Sequence, residues 1–143
     1  MRFVVFVKLT GQAARDYENG RMPTQDEIAQ MMAYNEELAK AGVMVGGDGL
    51  HPTAKAVRIE AATGGKPKVT DGPFAESKEL IGGFWLWNVN SKEEAVEWAS
   101  RFPLSEGDVL ELRQIFDVED FGDAIGPDEA AAMERVDRLI EQN

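Results

Sequence analysis

Residues Val69–Trp87, "VTDGPFAESKELIGGFWLW", decide how the rest of the chain is read. The second half, continued through Val89, places Phe84, Trp85, Leu86 and Trp87 at successive positions, so a strand here is apolar on both faces. The first half is a turn in which Asp71 opens the loop and Pro73 presets a backbone dihedral. A strand that is apolar on both sides needs cover on both sides, and that requirement sets the search for the remaining elements.

Working outward, "RFVVFVKL" near the N-terminus has the same character: Phe3, Val5 and Val7 form one apolar face, and Val4 and Phe6 the other. The following "GQAARDYENGRMP" reads as a polar loop. Thr24 and Glu27 have capping-box spacing, and Ile28, Met31, Met32, Leu38 and Ala39 continue at helical period, so a first helix is predicted from about Thr24 to Ala41, stopped by Gly42. "VMVGGDGLHP" reads as a strand running into a glycine-rich loop. "KAVRIEA" and "KPKVT" flank "ATGG", the pattern of a hairpin with a tight glycine turn. Ser91 and Glu94 repeat the capping box before a short second helix that Pro103 ends. "DVLELRQIFDV" alternates Leu110, Leu112 and Phe116 against charged residues, a half-buried final strand. Pro127 then opens an amphipathic third helix with Met133, Val136, Leu139 and Ile140 on one face.

With the hairpin set aside, the order is strand, helix, strand, strand, helix, strand. Right-handed crossovers lay both helices on one face of a mainly antiparallel sheet, an α+β, ferredoxin-like arrangement with an inserted β-hairpin and a C-terminal helix. Two helices cover one face only. The second face calls for another sheet, so a homodimer with its sheets facing each other, a dimeric α/β barrel, is expected. Residues 1–118 form the ferredoxin-like domain. Residues 119–143 are an acidic segment and helix that belong to the same domain or pack on the dimer partner.

Composition narrows the functional classes. The chain has 143 residues, enough for one domain with a substantial core, and no cysteine, so thiol catalysis, thiolate metal sites and disulfides are excluded. That usage and the absence of a signal-peptide pattern fit the cytoplasm. A formal charge of −11 repels nucleic acid and anionic membrane surfaces, and no stretch approaches a membrane span. A lone histidine with scattered carboxylates lacks the clustering of a metal site. The "GGDG" loop has neither the Walker lysine nor the dinucleotide fingerprint, so no metal and no cofactor is expected.

The stretches "GGDGLHP" (46–52), "VTDGPFAESKE" (69–79) and "IGGFWLWNVNSKEEAVEWASRFP" (81–103), in that order, resemble the DGPF subgroup of the YCII-related proteins. The resemblance runs from about Arg2 to Val118, with Asp71, Gly72, Pro73 and Phe74 as the name-giving motif and "AESKE" in place of the usual acidic–lysine continuation. It implies a dimeric α+β barrel of ferredoxin-like protomers without a settled activity. Members are described as possible enzymes with a His and Asp pair in a cleft, and some are associated with alternative sigma factors, which makes a sigma factor a candidate partner.

His51, the only histidine, lies in a Gly- and Pro-punctuated loop just beyond a strand, where functional groups are often presented. Asp71 either accepts backbone hydrogen bonds in its turn or serves a site. If it orients His51, it fixes the imidazole tautomer and makes the ring a general base, so His51 and Asp71 are the catalytic candidates for acid/base chemistry on a small organic substrate. Phe74, Glu76, Lys78 and Gly83 are the candidate ligand-binding residues: Phe74 as an apolar wall or a core residue, Glu76 and Lys78 as polar contacts, and Gly83 with Gly82 as the space beside the sheet. The expected ligand is a small molecule bound in a cleft near His51 and the DGPF turn. Trp85 and Trp87 share one strand face and are expected inside the barrel or the dimer.

Overall fold

The computed structural model describes residues 1–74 and 79–143. The elements run β1 (Arg2–Thr10), α1 (Gly11–Glu18), α2 (Gln25–Lys40), β2 (Met44–Gly49), β3 (Val57–Glu60), β4 (Lys68–Asp71), β5 (Glu79–Asn88), α3 (Lys92–Ser100), β6 (Asp108–Gln114) and α4 (Pro127–Glu141). The main sheet has the order β2-β5-β1-β6, and every pair in it is antiparallel. β3 and β4 form a separate antiparallel ribbon. The protein is therefore α+β with antiparallel sheets, in a strand order compatible with a ferredoxin-like arrangement.

Local signals hold where they rest on neighbours in sequence. The Thr24 hydroxyl accepts the Glu27 amide at 3.2 Å at the start of α2, and the Ser91 hydroxyl accepts the Glu94 amide at 3.1 Å at the start of α3. Each bond satisfies an amide that has no partner within the helix.

Four readings change. The "GQAARDYE" segment is helix α1 rather than a loop; Gly11, at φ +56°, turns the chain out of β1, and Ala14 anchors the two-turn helix by burial. Gly11 and the neighbouring polar residues masked a helix whose burial depends on the sheet beside it. The final strand ends at Gln114, and Phe116 leaves the sheet to lie exposed against Phe121, with ring centroids 5.1 Å apart. Residues 61–67 join β3 to β4, a longer connection than the tight glycine turn expected. Trp85 and Trp87 fill the core between sheet and helices rather than a barrel or dimer interior.

That core joins Phe3, Val5, Trp85 and Trp87 of the sheet to Tyr34 and Leu38 of α2 and Ala95 and Ala99 of α3. Tyr34, Trp85 and Phe102 form an edge-to-face triangle with centroids 5.3–5.7 Å apart. Each such aromatic pair contributes about 0.5–1.5 kcal/mol beyond the area it buries. The polar tips are accommodated: the Tyr34 hydroxyl donates to the Trp98 carbonyl at 2.8 Å, and Trp85 Nε1 donates to Asn35 Oδ1 at 2.9 Å. Burial holds the Tyr34 hydroxyl well above its ordinary pKa, so it stays a donor. The Trp87 indole N–H is buried without a partner among the described residues. Across the sheet, Val4, Phe6, Phe84 and Leu86 alternate onto the other face and are half-buried, while Ile81 and Val109 are exposed. No described helix is long and apolar enough to cross a membrane.

Candidate functional site

The loop after β2 and the turn after β4 converge on the C-terminal end of α1. Leu50 is held twice: its amide donates to the Gly82 carbonyl at 2.9 Å, and its carbonyl accepts the Tyr17 hydroxyl at 2.8 Å. Burial, assisted by the Glu18 charge, raises the Tyr17 pKa, which keeps that donor protonated. Three residues on, the Thr53 amide donates to Glu18 Oε1 at 2.9 Å, and the Thr53 hydroxyl donates to Glu18 Oε2. The same hydroxyl accepts the Phe74 amide at 3.1 Å. A hydroxyl suits this post because it donates one hydrogen bond and accepts another. Glu18, Thr53 and Phe74 thus form a continuous chain from α1 through the His51 loop to the DGPF turn.

Gly72 completes the clamp. Its amide donates to the Ala56 carbonyl at 2.8 Å, and a Cβ built on it would stand 1.7 Å from the Thr53 carbonyl oxygen. No side chain fits there without moving the backbone. The Gly72–Pro73 peptide is cis.

His51 is exposed in a loop fastened on both sides, and its ring makes no hydrogen bond among the described residues. Asp71, the last residue of β4, is also exposed. The amides of Gly72 and Phe74 go to Ala56 and Thr53 rather than to the Asp71 carboxylate. Among the described residues no hydrogen bond links His51 to Asp71; the two segments are joined through Thr53, Gly72 and Phe74 instead.

Phe74 is half-buried, with the Arg58 guanidinium 3.8 Å from its ring centroid, a cation–π contact that ties the turn to the β3–β4 ribbon. Gly83 is buried, and a Cβ there would lie 3.1 Å from the Asp48 carbonyl oxygen, so close approach of β2 to β5 accounts for the glycine. Gly82 meets Leu9 at 3.1 Å in the same way. Glu76 and Lys78 lie outside the described residues. Among the described residues no group of three or more His, Cys, Asp or Glu side chains is placed to hold a metal ion.

Tyr17, Glu18, Thr53 and Arg58 were not singled out from the sequence. Tyr17 and Glu18 belong to the segment read as a loop, and Thr53 owes its role to partners 35 and 21 residues away. Proximity to His51 was the only sequence signal for Thr53.

Comparison with curated proteins finds no match. The YCII-related domain, however, matches residues 1–119, which contain the whole main sheet, the clamp and the DGPF turn. This chain belongs to the YCII-related family.

Proposed function

We propose that this YCII-related protein, of the DGPF type, binds a small polar molecule where the His51 loop and the DGPF turn are clamped together. His51 and Asp71 supply directed polarity and Phe74 an apolar wall, the usual composition of a small-molecule site. The observation that carries the reading is the Glu18–Thr53–Phe74 hydrogen-bond chain, which joins the two loops through Thr53 and does not use the side chains of His51 and Asp71. Preorganised loops with uncommitted polar groups lose little entropy on binding.

The functional unit in this reading is a homodimer, supported by the half-buried Val4, Phe6, Phe84 and Leu86 on the face of the sheet away from α2 and α3. General acid/base chemistry by His51 and Asp71 is the second reading. It is favoured by the exposed Asp71 carboxylate, which accepts neither the Gly72 nor the Phe74 amide.

A thermal-shift screen of the wild-type protein against small organic acids and amines tests the site. At least one compound is expected to raise the melting temperature of the wild type and not that of His51→Ala. A compound that stabilises both equally, or a screen with no stabilising compound, overturns the reading. Consumption of the stabilising compound selects catalysis over binding.

A further inference from the structure

The β3–β4 ribbon stands apart from the main sheet, and its two faces differ. The register pairs Arg58 with Thr70 and Glu60 with Lys68 on one face, and Ile59 with Val69 and Val57 with Asp71 on the other. Arg58 commits the first face to Phe74. The second leaves Val57, Ile59 and Val69 exposed by 55%, 70% and 63%, a concentration of β-branched side chains that a monomer gains nothing by exposing. The ribbon is also basic in an acidic protein: residues 55–70 carry Lys55, Arg58, Lys66 and Lys68 against Glu60 alone, a local charge of +3 within a total of −11.

The C-terminal segment is its complement. Residues 117–143 hold nine acids and two arginines, a local charge of −7. Helix α4 has no buried residue, and its apolar stripe leaves Val136, Leu139 and Ile140 exposed by 53%, 60% and 68%. A shallow apolar depression lies on this helix beside Ala132, Met133 and Val136.

We infer that the ribbon of one protomer docks on α4 of a second copy, the Val57, Ile59 and Val69 face against the Val136, Leu139 and Ile140 stripe, and that two copies exchange this contact reciprocally. The match is one of charge and of apolar extent. It selects another copy of this chain over nucleic acid or lipid, because a net charge of −11 opposes approach to either polyanion. Reciprocity follows from two-fold symmetry, which makes the contact twice and lets each small patch contribute to an interface of stable size. Lys66 and Lys68 steer the encounter while the apolar residues hold it.

The inference rests on the self-association proposed above, and two readouts separate their failures. The chain has no cysteine, so Ile59→Cys and Leu139→Cys can be made singly at exposed positions and the two proteins mixed under mild oxidation. A disulfide between the chains, exceeding each like-with-like product, is the expected result. Its rate should fall roughly tenfold in a Lys66→Glu, Lys68→Glu background and recover when Asp137→Lys and Glu141→Lys are added to the partner, since charge at an interface rim acts chiefly on association. A dimer by sedimentation without the 59–139 disulfide overturns the exchange and leaves the sheet-facing dimer standing; a monomer at micromolar concentration overturns both. A double variant that closes the disulfide within one chain, or a ribbon that binds phosphatidylserine vesicles in place of the second copy, overturns the exchange as well.

Discussion

The two faces of the β1–β5 pair are built from equally apolar residues and meet different surroundings. Beneath the helices, Phe3, Val5, Trp85 and Trp87 are 0–4% exposed and interlock with Tyr34, Leu38 and Phe102. On the opposite face, Val4, Phe6, Phe84 and Leu86 are half-buried by their neighbours, and the apolar row ends at Lys8. Its ammonium is bracketed by Glu79 at 2.9 Å and Glu111 at 3.1 Å. One strand pair therefore supplies a dry core on one side and a half-buried apolar surface on the other. The difference lies in what covers each face, not in the strand residues themselves.

The strongest challenge to that comparison is truncation on each side. Trp85→Ala should cost about 3–5 kcal/mol in urea denaturation, because it removes the centre of the aromatic triangle and leaves a cavity. Leu86→Ala, one residue away, should cost well under half as much in dilute solution. A Leu86→Ala cost that rises with protein concentration would show the second face being covered by self-association; equal costs at all concentrations would erase the distinction between the faces.

Gly72→Ala comes next, at about 2–3 kcal/mol, since the methyl group must displace the Thr53 carbonyl. Loss of ligand-induced stabilisation should accompany it. If Gly72→Ala is as stable as wild type, the turn and the His51 loop are not locked together.

Thr53→Val should cost about 1–3 kcal/mol by leaving the Glu18 carboxylate and the Phe74 amide short of a partner. His51→Ala and Asp71→Asn should stay within about 0.5 kcal/mol, as exposed groups outside the clamp. Thermal denaturation of the three variants side by side separates the frame of the site from the groups it presents.

The smallest effect is the pH dependence of the Lys8 cluster. Hydrogen bonds to Glu79 and Glu111 hold the Lys8 pKa above its usual range, and the Lys8 hydrogen bond holds the Glu111 carboxyl below its own. Glu111 therefore contributes stability above its unfolded pKa of about 4.3, and that contribution is lost as pH falls through its lower folded value. Lys8 contributes fully below its unfolded pKa of about 10.4, and the contribution is lost as pH rises through its higher folded value. Urea melts should show the wild type's advantage over Lys8→Met as a plateau between about pH 5 and about pH 10, fading at either end. An advantage independent of pH would assign the role of Lys8 to its aliphatic stem.

How far the sequence reaches follows from the range of each interaction. The caps at Thr24 and Ser91 were legible because acceptor and donor are three residues apart, and the two-faced strands because alternation is a property of the strand itself. That the loop carrying His51 and the DGPF turn lie near each other was expected because the turn comes just before the aromatic strand and the loop just after another strand, and the Thr53–Phe74 hydrogen bond joins the two segments. Their actual fastening, through Glu18 and Thr53, was not, and α1 was missed because its burial depends on the sheet it lies against.

By itself, then, the sequence determined the order of the strands and of helices α2, α3 and α4, the acidic charge, the lack of cysteine and the presence of two apolar faces on β1 and β5. Each of these is written in residue type or in spacing of a few positions. Only the tertiary structure decided which face the helices cover, that Trp85 and Trp87 belong to the core, and that Thr53 joins Glu18 to Phe74. Those outcomes depend on atoms brought together from 21 to 50 residues apart, and the chemistry of such a contact is absent from either segment until the sheet has aligned them.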